Sequence, residues 1–159
     1  MTEIQTGRKN AKSVEHEKNL IVVYHRTFKE LLPNITEEGL RPHKPVTMED
    51  RGITWEEKMV QLRRQEIDEV FDSIYKRDNA GFSRRNSVYA YLTPNQGRPI
   101  RWGDVIIELT VDPTKVLVAN MVYWDEALSS YFYCLPQAII KNGRKYWETA
   151  MTLDTYKHC

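Results

Sequence analysis

A run of apolar, largely β-branched residues, Leu20-Ile21-Val22-Val23-Tyr24, gives way abruptly to His25-Arg26-Thr27. Such a run fits a buried strand, and a strand that delivers polar side chains at its end is how sites are commonly built. A short helix should follow, with Pro33 in its first turn and Gly39 just past its end, where a left-handed cap is needed. Phe28, Leu31, Leu32 and Ile35 give that helix an inward face. His25 and Thr27 share one face of the strand, because extended side chains alternate with period two. The same alternation places Tyr89 and Tyr91 together in a second strand expected over about 87–93, stopped by Pro94.

The rest of the chain punctuates itself. Thr54-Trp55-Glu56-Glu57 is a capping box. It opens a helix to about Lys76, with Trp55, Met59, Leu62, Ile67, Val70, Phe71 and Ile74 close to a 3.6-residue period. The expected setting is an amphipathic helix laid on a sheet. Asp104 to Val111 reads as the clearest strand, turned by Asp112-Pro113-Thr114-Lys115 into Val116–Ala119. Tyr123 to Tyr133 reads as a helix, Gly143 as a turn, and Tyr146 to Leu153 as a last strand. Strands then dominate without βαβ alternation, so the fold class is α+β with a mainly antiparallel sheet.

With 159 residues the chain should form one domain over 19–159, with 1–18 as a disordered, polar tail. Lys plus Arg number 23 and Asp plus Glu 22, so no whole-protein field draws it to nucleic acid or membrane. No apolar run approaches the roughly 18 residues of a membrane span, and the first residues lack a signal-peptide core. The two cysteines, Cys134 and Cys159, make no disulfide framework, and the four histidines have no metal-ligand spacing with them. The expectation is a cytoplasmic protein without a structural metal.

Three groups of residues stand out for chemistry. His25 with Thr27 sits on a rigid strand end. Tyr89 and Tyr91 offer flat faces for stacking, or else pack across strands. Glu148, between aromatics in Tyr146-Trp147-Glu148-Thr149, is a carboxylate in a position to be partly desolvated. Gln137 and Glu126 compete with it.

Taken in order, Tyr24-His25-Arg26-Thr27, the helix closing on Glu38-Gly39-Leu40, Tyr91-Leu92-Thr93, and the strand ending in Val111-Asp112-Pro113 resemble the ADP-ribosyltransferase fold. The likeness is to its His-Tyr-Glu branch, which includes poly(ADP-ribose) polymerases. Rifampicin ADP-ribosyltransferases and tRNA 2′-phosphotransferases carry similar strands. It covers about residues 20–153, with the capped helix at about 54–77 as an insertion. The resemblance implies a split antiparallel sheet with a few peripheral helices, and NAD as substrate. It implies that His25 bonds a ribose hydroxyl, Thr27 supports the strand end, Tyr91 stacks on nicotinamide and Glu148 is the catalytic acidic residue. Arg26 stands where many members have glycine, and its backbone still meets the nicotinamide amide if the side chain turns away. Arg41, Arg84, Arg85, Arg98 and Arg101 are the candidates to neutralise a pyrophosphate. The acceptor of ADP-ribose is not named by the sequence. An RNA 2′-phosphotransferase-like enzyme and a non-catalytic α+β binding module are the competing readings.

Overall fold

The computed structural model describes residues 19–75, 82–94, 103 and 105–159. The chain divides into two compact units. The first takes Met1–Arg41, Val88–Leu117 and Thr152–Cys159, and the second Pro42–Ser87 and Val118–Met151. The fold is mixed α+β with two small antiparallel sheets. Helix makes up 51% of the described residues and strand 15%, so the expected dominance of strands is corrected.

In the first unit, β1 (Ile21–Thr27) pairs antiparallel with β2 (Val105–Val111), in a register running from Ile21 opposite Val111 to Thr27 opposite Val105. Their β-branched residues alternate between faces as period two demands. Val23, Thr27, Leu109 and Val111 are buried, while Val22 and Ile106 on the other face are exposed. Asp112 ends β2 by folding its carboxylate onto the Thr114 amide and hydroxyl, at 3.0 and 2.7 Å, which starts the turn Pro113–Lys115. The second sheet joins β3 (Leu117–Val118) and β4 (Met151–Thr152).

Helix α1 (Leu32–Glu38) has Pro33 in its first turn, and Gly39 closes it at φ 80° with its amide on the Ile35 carbonyl. No residue of α1 is buried, and Phe28 and Leu31 are 44% and 42% exposed. The expected inward face is therefore limited to Leu32 and Ile35, both half-buried.

The second unit is helical. Helix α2 (Trp55–Ile74) starts where expected, with the Thr54 hydroxyl accepting from the Glu57 amide at 3.2 Å. Ile67 and Phe71 are its buried residues, whereas Trp55 is 62% exposed and outside the apolar stripe. The stripe is covered by two helices, α3 (Met121–Phe132) and α4 (Pro136–Thr149), in place of the expected sheet. Asn120 caps α3. Cys134, at φ 54°, ends it in a Schellman turn, with the Cys134 and Leu135 amides on the Tyr131 and Ser130 carbonyls.

Two local expectations fall in α4. Gly143 lies inside a helix, and Tyr146 to Thr149 continue that helix; only Met151–Thr152 of the expected last strand is extended, and α5 (Leu153–Lys157) follows. The reason is packing. A Cβ on Gly143 would meet Ile74 Cδ1 at 2.8 Å and Phe71 Cδ1 at 3.0 Å, so bare backbone is what lets α4 close on α2. Tyr146 and Trp147 then stack at 5.3 Å on Phe71 and 4.3 Å on Tyr75, and the Trp147 indole donates to the Phe71 carbonyl at 2.7 Å. Aromatic residues read locally as strand formers; tertiary burial holds them in helix.

Candidate functional site

Strand β1 carries His25 on its inner face, between the buried Val23 and Thr27. The end of that strand is fixed from two sides. Gly103, at φ 134°, lies so close that any Cβ would collide with the Thr27 carbonyl. Segment 88–91 runs along β1, and Tyr91 exchanges both backbone hydrogen bonds with Tyr24, at 2.9 and 2.7 Å. The expected second strand is corrected to this single bridge, since Tyr91 alone of the segment pairs with β1. Nothing in residue type or spacing singles out Gly103, because its role is a close backbone approach visible only in three dimensions.

The imidazole of His25 is oriented by this segment. Its Nδ1 lies 2.7 Å from the Tyr89 carbonyl oxygen. A carbonyl only accepts, so Nδ1 carries the proton in that bond. In the neutral ring Nε2 is then left as an acceptor, and it hydrogen-bonds no described residue. The arrangement can hold a ligand hydroxyl by accepting its proton.

Arg26, one residue on, stands on the other face. Its guanidinium donates to the Pro94 carbonyl at 3.5 Å. Tyr91 opposes Tyr24 in the bridge, and directly opposed side chains share a face. The structure thus brings the Tyr89 carbonyl to His25, while the Tyr91 side chain falls on the face of Tyr24, opposite that of His25. Tyr89 is 42% exposed. Arg41 is exposed at the end of the same unit.

The remaining candidates belong to the second unit. Glu148 is exposed in the last turn of α4, not on a strand. Gln137 is exposed in the first turn of α4, and Glu126 is exposed on α3. Arg84 is withdrawn from the pyrophosphate candidates. It is 6% exposed and bonds Asp68 at 2.6 Å and the Tyr146 hydroxyl at 2.9 Å, with its plane 5.1 Å from the Trp124 ring. Arg85 pairs with Asp72 at 3.1 Å. Arg98 and Arg101 lie outside the described residues.

Among the described residues no group of three or more His, Cys, Asp or Glu is placed to hold a metal ion, and no helix is long and apolar enough to cross a membrane. No family model, curated protein or solved structure matches the chain.

Proposed function

We propose that the chain is an NAD-dependent ADP-ribosyltransferase-like protein whose first unit binds the nicotinamide ribose through His25. The observation that carries this reading is the His25–Tyr89 hydrogen bond. It fixes the ring at a strand end and leaves Nε2 to accept from a ribose hydroxyl. The order of segments around it supports the same reading: the histidine strand is flanked by the tyrosine segment on one side and by the strand ending in Asp112-Pro113 on the other.

In the proposed reaction the bond between nicotinamide nitrogen and the ribose anomeric carbon breaks. Nicotinamide leaves with the electron pair, and the acceptor's nucleophile forms the new bond and gives up its proton. The sugar passes through an oxocarbenium-like centre, which a carboxylate stabilises as charge develops. The resemblance assigns that carboxylate to Glu148, which belongs to the second unit, and the stacking ring to Tyr91, whose side chain falls on the Tyr24 face of the bridge. The Arg26 side chain is held toward the Pro94 carbonyl.

Nicotinamide release from NAD, followed on wild type, Tyr91→Ala and Glu148→Gln, tests these assignments separately. Glu148→Gln is expected to lower turnover with binding kept, because the charge acts mainly on the developing cation. Tyr91→Ala is expected to weaken binding. Unchanged turnover in Glu148→Gln removes that residue from the reaction.

A further inference from the structure

Helices α3 and α4 form an antiparallel hairpin, turned at Tyr133–Leu135, with an open groove of about 450 Å³ between them. That volume falls within the range of small-molecule sites. Its lining includes Glu126, Ser130, Tyr133, Lys141, Asn142 and Lys145. All of them lie in the second unit.

The hydrogen bonds already made inside the groove define what it still offers. The Ser130 hydroxyl donates to the Glu126 carbonyl at 2.9 Å, so its oxygen faces the groove as an acceptor. The Asn142 amide nitrogen donates to the Ala138 carbonyl at 2.9 Å, which leaves Asn142 Oδ1 as an acceptor in a residue only 8% exposed. The Glu126 carboxylate accepts as well. These three groups call for a ligand that donates hydrogen bonds, as sugar hydroxyls and exocyclic amines do.

The cations are elsewhere on the wall. Lys141 and Lys145 are one helical turn apart on α4, and neither makes an ion pair among the described residues. Like charges at that spacing repel, and an anion between them relieves the repulsion. Tyr133, 76% exposed, puts a flat ring at the closed end of the hairpin. From Pro136, the first residue of α4, Lys141 and Lys145 lie about 7.5 and 13.5 Å along the axis, so the nearer lysine is at about the reach from a base to its phosphate. Glu126, on the α3 wall of the groove, disfavours a ligand carrying several negative charges.

The geometry points to this groove as a binding site for a nucleoside monophosphate, with the phosphate on Lys141 and Lys145, the base on Tyr133, and the hydroxyls or amine on Ser130, Asn142 and Glu126. The site is separate from the one built on His25 and does not rest on the NAD reading. Calorimetric titration of adenosine monophosphate into the full chain tests it, with inorganic phosphate and adenosine as the two half-ligands. Wild type is expected to bind the nucleotide more tightly than either half. The Lys141→Gln/Lys145→Gln double variant, both positions exposed and its helical circular dichroism compared with wild type, is expected to bind it about tenfold more weakly or worse, the loss of charge-assisted contacts. His25→Ala is expected to bind it as wild type does. No binding by wild type at millimolar nucleotide overturns the proposal. So does equal affinity in the double variant, or loss of binding in His25→Ala.

Discussion

Arg84 Nε lies 2.6 Å from Asp68 Oδ1, with 5% of the arginine side chain and 18% of the aspartate exposed. The same carboxylate oxygen accepts the Trp124 indole at 2.8 Å, and the guanidinium reaches the Tyr146 hydroxyl, so one pair ties α2, α3 and α4 to the loop at 82–87. Asp72 completes the anchor by accepting the Ser83 hydroxyl and the Arg84 amide at 2.9 and 2.7 Å.

A charge left alone after its buried partner is removed costs more than the pair contributed. Asp68→Ala is therefore expected to destabilise the second unit by about 3 kcal/mol. The apolar exchange of both partners, Asp68→Leu with Arg84→Met, is expected to cost less than either single truncation. Urea unfolding of Asp68→Ala, Arg84→Ala and the double exchange checks this ordering. Equal stability of Asp68→Ala and wild type would remove the pair from the account of the fold.

Gly143 is the second test of packing. Alanine is the better helix former by about 1 kcal/mol in an open helix. Here its methyl would press on Ile74 and the buried Phe71. Gly143→Ala is expected to lose about 1–3 kcal/mol, as overpacked cores do. Thermal unfolding reads the sign directly, and a stabilised variant would show that α4 and α2 do not meet as closely as described.

Tyr131 gives the pH dependence. Its phenol is held above its ordinary value, first by the hydrogen bond to Glu66, then by burial and by the charge of that carboxylate. The folded state keeps the proton more tightly than the unfolded chain. The resulting stability is fully present below about pH 10, the unfolded value, and is lost as pH rises through the raised folded value. Glu66→Gln is expected to shrink this alkaline loss, and Tyr131→Phe to abolish it. Urea midpoints measured from neutral to alkaline pH, parallel in all three proteins, would contradict the assignment.

What the sequence made legible followed from local chemistry. The Thr54 cap, the Pro33 and Gly39 bounds of α1, the Asp112-Pro113 turn and the strand over Val105–Val111 each depend on neighbours in the chain. The helix α4 was not legible, because Gly143 and the aromatics Tyr146 and Trp147 take their meaning from Phe71 and Ile74, far away in sequence. At the candidate site, His25 and Thr27 were readable as one face of one strand. The Tyr89 carbonyl on His25 and the Gly103 approach to Thr27 were not, since both are backbone contacts that carry no signature in residue type.

In the proposed reading, His25 Nε2 accepts a ribose hydroxyl of NAD. Calorimetric titration of NAD into wild type and His25→Ala tests it most directly. Wild type is expected to bind saturably, with a several-fold to about tenfold loss in His25→Ala, the worth of one neutral hydrogen bond. No binding by wild type at millimolar NAD, or equal affinity in the two proteins, would contradict it.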